Sequence, residues 1–256
     1  HNIYNNDYQK HYAFIFSSEM IIGYTGDRQE FLGLRGSILE PQGLEQKLCC
    51  STGNGYDPCG AIQISIALRS NESRTILFGL GQSDDFEEIE ILRKKYSDAA
   101  SGNAELEKVK AYWSDLLGGI QVSTRDRALD ILVNGWLLYQ TVSCRLNARA
   151  AFYQCGGAYG FRDQIQDCLA LLDVKPGILR DQILLAASRQ FEEGDVQHWW
   201  HLPNGLGVRT RITDDLLWLP YSVAAYIEST GDYSLLSEQV SYIKGPLLKD
   251  GEHEIM

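Results

Sequence analysis

Two carboxylates and a guanidinium group stand together directly after a glycine-rich stretch. Residues 156–160 contain three glycines, and Arg162, Asp163 and Asp167 follow them. Asp163 and Asp167 are four residues apart, so on a helix they share one face, while glycine lets the backbone turn sharply and lets a ligand approach closely. Such groups at a loop-to-helix junction suit hydrogen bonding to a polyhydroxylated ligand. A capped helix with surface charges is the alternative, because ordinary loops look the same locally.

A second group of residues with binding chemistry lies between residues 195 and 220. It contains, in chain order, His198, Trp199, Trp200, Arg209, Arg211, Asp214 and Asp215. Aromatic rings stack on flat apolar surfaces such as sugar faces and leave a polar edge for hydrogen bonds. Thr213 before the two acids is also typical of a helix N-cap with first-turn acids. Capping explains the acid pair but not the tryptophans and arginines beside it.

Histidine and cysteine residues do not predict a metal site. His198 and His201 have the spacing of a metal-binding pair, but no third ligand accompanies them, and zinc needs at least three protein ligands. The six cysteines include no Cys-x-x-Cys pair, so we expect free thiols in a cytoplasmic protein. They are Cys49, Cys50, Cys59, Cys144, Cys155 and Cys168.

Composition predicts a soluble globular protein with neither nucleic acid nor a membrane as partner. The 256 residues are 44% hydrophobic and carry a net charge of −11, which disfavours binding to polyanions. No apolar run reaches the roughly 18 residues that a membrane helix needs. Phosphate can still be attracted locally, since charges act within a Debye length of roughly 8 Å. The candidate arginines are Arg149, Arg162, Arg209 and Arg211.

The elements that must position these groups fall into three parts. Residues 1–83 alternate in hydrophobicity, and we expect strands at 12–16, 61–68 and 75–80, the last two forming a hairpin. Residues 84–122 have helical periodicity, with a break at Gly102-Asn103 and an end at Gly118. Residues 123–256 are predicted to be all helix, at 126–147, 162–173, 177–193, 213–230 and 232–243. The first of these is apolar on nearly all faces and is therefore predicted to be buried.

Four motifs in this order resemble glycoside hydrolase family 94, the inverting glycoside phosphorylases, and the related region of cyclic β-1,2-glucan synthases. The motifs are Tyr24–Gly33, Gly55–Ala61, Gln154–Asp167 and Asp195–Pro220. The resemblance implies an α+β protein: the end of an N-terminal β-sandwich (1–83), a helical linker (84–122) and the first helices of an (α/α)6 barrel (123–256). It also implies that the chain is an internal piece of a larger protein. A partial barrel exposes apolar surface, which favours aggregation or oligomerisation, including a homodimer of the full-length protein.

The reaction that the resemblance implies is phosphorolysis of a β-glucosidic bond in a glucooligosaccharide. An acid protonates the leaving oxygen while inorganic phosphate attacks from the opposite face, giving α-glucose 1-phosphate without any cofactor. The family's acid lies in a Trp-Asn-Asp segment, which this sequence lacks. We therefore expect no catalytic residue in this segment and no activity of the segment alone.

The resemblance also assigns substrate-binding residues. Asp163 matches the acid that binds the sugar at the nonreducing end, and Phe161 and Arg162 support or wall its pocket. Arg149 is the candidate for a phosphate or sugar contact. The remaining residues expected to line the same cleft are His198, Trp199, Trp200, Arg209 and Asp215. Two other functions remain open: a glucoamylase-like hydrolase, and a non-catalytic glucan-binding or chain-length-controlling region of a synthase.

Overall fold

The computed structural model describes residues 11–53, 55–147, 157–202 and 204–256. The chain divides into two compact units, His1–Lys110 and Ala111–Met256. Arg149 and Cys155, which the sequence analysis singled out, lie outside the described residues.

The first unit contains two antiparallel strand pairs. Its strands are β1 (Tyr12–Ser17), β2 (Ile21–Asp27), β3 (Pro58–Ile64) and β4 (Phe78–Ser83). β1 pairs with β4 and β2 pairs with β3, so the predicted hairpin between the last two strands is wrong. The β1–β4 register places Phe14 opposite Gly81 and Phe16 opposite Gly79, and each ring lies where a side chain on its glycine would stand. This fit of rings over glycines favours the long-range pairing over the local hairpin.

A short helix, α1 (Arg28–Leu32), follows β2 and is capped by Asp27. Glu30 in this helix accepts hydrogen bonds from Thr25 Oγ1 at 2.5 Å, Ser51 Oγ at 2.7 Å and the Cys49 backbone N–H at 2.6 Å. These bonds, that from Ser51 first, lower the pKa of Glu30 to about 2. The carboxylate therefore ties the loop around residues 49–51 to β2.

Two helices follow the strands, and their division differs from the prediction. They are α2 (Phe86–Lys95) and α3 (Ala99–Leu117). The break falls before α3, where Asp98 Oδ1 accepts the Ser101 N–H at 2.8 Å as a cap, and the helix runs through Gly102. A side chain at Gly102 would stand 2.3 Å from Leu77 Cδ1, so close packing accounts for this glycine. The helix does end before Gly118, as predicted.

The second unit begins with a continuous helical segment over residues 127–147. It passes from α4 (Arg127–Ile131) through a π-helical stretch (Leu132–Trp136) and α5 (Leu137–Gln140) into a second π-helical stretch (Thr141–Asn147). The prediction that it is buried is wrong for most of its length. Leu138 and Val142 pack on Leu116 and Leu171, whereas other apolar residues are 41–55% exposed: Leu129, Ile131, Leu132, Trp136 and Leu137.

Three further helices form the core of this unit: α6 (Phe161–Leu169), α7 (Pro176–Ala187) and α8 (Asp215–Thr230). The predicted helix over 232–243 is reduced to a 3₁₀ turn, Tyr233–Ser237. One core cluster joins Phe161 and Ile165 to Ala186, Val196 and Trp200. Within the described part of the chain, no helix has the length and apolarity required to cross a membrane.

A four-stranded antiparallel sheet is the main departure from the all-helical prediction for residues 123–256. Its order is β5 (Ala158–Gly160), β6 (Gln197–His201), β7 (Gly207–Thr210) and β8 (Glu254–Ile255). The β6 segment has two tryptophans and β7 has a valine and a threonine, which are residues that favour strands. The sheet pairs Gly160 with Trp199 and so brings the two candidate segments of the sequence together.

Candidate functional site

The glycine-rich motif forms a junction between β5 and α6. Gly160 is the N-cap of α6, and Phe161, Arg162 and Asp163 are its first three residues. A Cβ on Gly160 would lie 2.3 Å from Asp163 Oδ2, so the carboxylate folds back over the strand end and only glycine leaves it room. The positive end of the helix dipole favours an acid in this first turn.

The Asp163 carboxylate is the open acceptor of this junction. It is partly exposed, and the described residues give it no hydrogen bond or ion pair. Its charge nevertheless contributes to raising the pKa values of Arg162 and His198, so it lies within electrostatic reach of both. An unpaired carboxylate near a guanidinium and an imidazole can accept hydrogen bonds from ligand hydroxyls.

A buried carboxylate holds His198 beside this acid. Asp215 Oδ2 lies 2.6 Å from His198 Nδ1, and the Asp215 side chain is 1% exposed. The hydrogen bond to Asp215 raises the pKa of His198 against the opposing effect of burial, and the charges of Asp215 and Asp163 raise it further. Within the described structure, Asp215 Oδ1 is buried without a hydrogen-bond partner. The pair fixes the ring orientation, and Nε2 takes no part in the bond to Asp215.

The other acid of the pair, Asp214, connects α8 to α6. Its Oδ2 accepts from Arg162 Nη1 at 2.7 Å, and this bond lowers the pKa of Asp214 and raises that of Arg162. Thr213 is not the helix cap, because α8 has Asp214 as its N-cap and that side chain makes no capping bond. Both acids therefore make tertiary pairs instead. Sequence reasoning missed the role of Asp214, although its position next to Asp215 was a usable signal.

These five residues form a cluster where three elements meet: Arg162 and Asp163 on α6, His198 on β6, and Asp214 and Asp215 at the start of α8. We call these five residues the junction cluster. Asp167, one turn after Asp163, does not belong to it. Its Oδ2 pairs with Arg145 Nε at 2.9 Å, and burial raises the pKa of Asp167.

Phe161 and Trp200 lie behind the junction cluster rather than at an open surface. Both are 0% exposed and belong to one core cluster, and the Trp200 ring stacks on Tyr159 with centroids 5.7 Å apart. Trp199, the next residue on β6, is only partly buried. Its ring meets His201 edge-to-face at 5.3 Å. Of the two tryptophans, Trp199 is therefore the one that a ligand can reach.

Arg209 is committed to the protein itself. Its side chain is 4% exposed and forms a paired contact with Asp195 through two bonds of 2.6 Å. Its remaining three N–H groups bond to Glu193 and to the carbonyls of Gly245 and Pro246. All five donors of the guanidinium are thus used, so this arginine holds β7 in place and has no donor left for phosphate.

The histidines and cysteines of the described residues lie apart from one another or have other partners. Among the described residues, no group of three or more His, Cys, Asp or Glu side chains could hold an ion. His198 uses Nδ1 for Asp215, and His201 packs on Trp199. The described cysteines all carry free thiols: Cys49, Cys50, Cys59, Cys144 and Cys168.

Comparison with known proteins matches both units of the chain to one superfamily. The glycosyl hydrolase 94 superfamily catalytic domain matches residues 112–254, and the glycosyl hydrolase 94 supersandwich domain matches residues 1–99.

Three curated relatives represent the range of similarity. A cyclic beta-(1,2)-glucan synthase, NdvB, of Rhizobium meliloti (strain 1021) is 45% identical over 99% of this chain and 9% of its own length. An N,N'-diacetylchitobiose phosphorylase of Vibrio proteolyticus is 26% identical over 98% of this chain and 35% of its own. A cellobionic acid phosphorylase of Neurospora crassa is 28% identical over 96% of this chain and 31% of its own. The chain thus spans about a third or less of the length of these relatives.

Proposed function

This chain belongs to the glycosyl hydrolase 94 superfamily, and we propose that it supplies the sugar-binding part of an inverting glycoside phosphorylase. The helices of its second unit would be the first part of an (α/α)6 barrel, and its first unit the end of a β-sandwich. The substrate would be a β-linked glucooligosaccharide, with inorganic phosphate as co-substrate and no cofactor.

The chemistry is a single displacement at the anomeric carbon. The bond from C1 to the glycosidic oxygen breaks, a carboxylic acid gives that oxygen its proton, and a phosphate oxygen forms the new bond to C1 from the opposite face. The product is α-glucose 1-phosphate. Because phosphate brings its own nucleophilic oxygen, one acid suffices, and we place it in a part of the whole protein outside this chain. The 256 residues alone are then expected to be inactive.

The open carboxylate of Asp163 is the observation that supports this proposal most. It lies at the junction of β5 and α6, where Gly160 leaves room for it because it has no side chain. Within the described residues it has no hydrogen-bond partner, and the protonatable ring of His198 is nearby. Two carboxylate oxygens can each accept a bond from a sugar hydroxyl, while His198 and Trp199 offer a donor and an aromatic surface. Arg162 donates from Nη1 to Asp214. This donor holds the junction in place and does not contact sugar.

Asp163→Asn tests the proposal, with Asp167→Asn as a matched control one turn later on the same helix. Bonds to a charged group contribute about 1.5–3 kcal/mol, so Asp163→Asn should lower kcat/KM for phosphorolysis roughly 10- to 150-fold. Asp167 is paired with Arg145, so its variant should lose stability and keep its kinetics. The assay requires the longest natural form of the protein that contains these residues. Equal kinetic losses in the two variants would remove Asp163 from the site.

A non-catalytic glucan-binding role is the second candidate. Its support is the similarity to a relative named as a cyclic beta-(1,2)-glucan synthase, which is higher than that to the relatives named as phosphorylases. Under this alternative the junction cluster would bind glucan, and Asp163→Asn would weaken binding, but no sugar phosphate would form. A cytoplasmic location and a homodimer remain predictions.

A further inference from the structure

A cavity with a few polar groups in a largely apolar lining lies in the same unit, apart from the junction cluster. Its volume is about 340 Å³, and Arg189, Gln197, Asn204 and Gly205 are among the residues that line it. None of the five cluster residues lines it. The volume falls at the lower end of the range for small-molecule sites, roughly 300–1,000 Å³.

Arg189 is the cationic group of this cavity that has donors to spare. Its guanidinium carbon lies 5.1 Å from the centre of the Trp200 ring, and Nε is buried without a hydrogen-bond partner in the described part of the chain. Burial alone lowers the pKa of Arg189, whereas the pKa of Arg209, in the same cavity wall, is raised by its bond to Asp195. An unpaired guanidinium withdrawn from water is costly unless an acceptor reaches it.

Two backbone segments, one from β6 and one from the loop around Gly205, lie close to Arg189. The Gln197 N–H donates to the Arg189 carbonyl at 3.0 Å, which fixes the residue against β6. On the other side, Gly205 has a φ of +73°, and a Cβ there would stand 3.0 Å from Arg189 Nη1. Glycine therefore allows the 204–206 loop to close onto the guanidinium without covering its donors.

Gln197 supplies the complementary group. Its Nε2 donates to the Gly205 carbonyl at 3.2 Å, which orients the amide, and its Oε1 is buried without a partner among the described residues. A ligand that satisfies both residues must present an acceptor to Arg189 and a donor to Gln197. Lys244 also lines the cavity; its side chain is 81% exposed and pairs with Glu192 at 3.2 Å.

We propose that this cavity binds a small oxyanion that also carries a hydroxyl group, as hydrogenphosphate and sugar phosphates do. The anionic oxygens accept from the Arg189 guanidinium, and the hydroxyl donates to Gln197 Oε1. The Trp200 ring below the guanidinium holds it in position by a cation–π contact. The site does not depend on the phosphorolysis proposed for the junction cluster, because the two share no residue.

Isothermal titration of the longest natural form of the protein tests this site. The probes are glucose 1-phosphate, inorganic phosphate and uncharged glucose. The variants are Arg189→Met, which keeps an apolar side chain over Trp200, and Arg189→Lys, which keeps the charge without the planar fork. Arg93→Met is the control for loss of one positive charge, since Arg93 is an exposed surface arginine paired with Glu90 and does not line the cavity.

The expected result is an Arg189-dependent site for at least one phosphate probe. Arg189→Met should weaken that site at least about tenfold, the equivalent of roughly 1.4 kcal/mol. Arg189→Lys should bind with intermediate affinity, and Arg93→Met should bind like the parent. The thermal unfolding midpoint of Arg189→Met should stay within about a degree of the parent value, because methionine keeps an apolar side chain over Trp200 and no hydrogen bond within the described structure is lost.

Two results would overturn the proposal: no binding of either phosphate probe, or unchanged binding in Arg189→Met. Unchanged binding together with lowered thermal stability would show that Arg189 supports the fold and does not hold a ligand. The phosphorolysis assay is read separately on the same samples. If the parent protein shows no turnover, the proposed function is contradicted. The titration would still decide whether the Arg189 cavity binds phosphate.

Discussion

The buried pair of Asp215 and His198 makes the sharpest prediction about stability. Asp215→Asn replaces a carboxylate that is 1% exposed and bonded to His198 at 2.6 Å by a neutral amide of the same size. Below pH 6.5, the ordinary pKa of histidine, the lost bond joins two charged groups. Bonds to charged groups contribute about 1.5–3 kcal/mol, so the variant should lose that much free energy of unfolding at pH 6.

The sign of the pH dependence follows from the raised pKa of His198. The protonated ring is more stable in the folded than in the unfolded protein, so its contribution is complete below pH 6.5. It is lost as the pH rises through the raised folded-state value. Once the ring is neutral, its bond to Asp215 involves one charged group instead of two and is weaker. The destabilisation by Asp215→Asn should therefore be smaller at pH 9 than at pH 6.

Asp214→Asn is the matched control, because it changes the neighbouring residue at the start of the same helix. Asp214 is 47% exposed and pairs with Arg162, which is 38% exposed, and such solvent-screened surface pairs contribute little to stability. Urea unfolding of both variants at pH 6 and pH 9 gives the comparison. Equal destabilisation by the two variants, or a loss from Asp215→Asn that does not change with pH, would refute the assigned role of the buried pair.

Three further predictions concern residues around and outside the junction cluster. Arg209→Met should cost about 3 kcal/mol in chemical unfolding, because it breaks a buried ion pair with Asp195, and a loss under 1 kcal/mol would contradict that structural role. Gly160→Ala should displace the Asp163 carboxylate and raise the KM for sugar about tenfold, which corresponds to about 1.4 kcal/mol. The unfolding temperature should change little. An unchanged KM would contradict a sugar contact by Asp163. The pKa of Glu30 is about 2 against an ordinary 4.5. The ionised carboxylate therefore stabilises the folded protein above pH 4.5, and this contribution is lost as the pH falls toward 2. Unfolding of Glu30→Gln followed by circular dichroism should therefore show a weaker dependence on pH across that range.

The sequence identified the superfamily and the location of the cluster better than it identified the fold around it. Residue type and spacing singled out Asp163, His198 and Asp215 as candidates, although helix capping also explained the acids at loop-to-helix junctions. The packing of Phe161 and Trp200 in the core could not be predicted from the sequence, because aromatic residues suit both a sugar-binding surface and a protein interior.

The four-stranded sheet was missed because its strands are short and lie far apart in the chain. β5 has three residues and β8 has two, too few for a period of two to be recognised against a helical pattern. Its pairing between residues 158–160 and 199–201 depends on contacts that no local window contains. Arg209 illustrates the same limit, since its partners Gly245 and Pro246 are remote in sequence.

Phosphate-dependent formation of sugar phosphate from β-1,2-glucooligosaccharides distinguishes a phosphorylase from a hydrolase or a binding region. The longest natural form of the protein would be incubated with the oligosaccharide with and without inorganic phosphate, and α-glucose 1-phosphate would be measured. We predict that this product forms only with phosphate and falls roughly 10- to 150-fold in Asp163→Asn. Free glucose released equally with and without phosphate would indicate a hydrolase, and glucan binding without any product would indicate a binding region; either result would contradict the account.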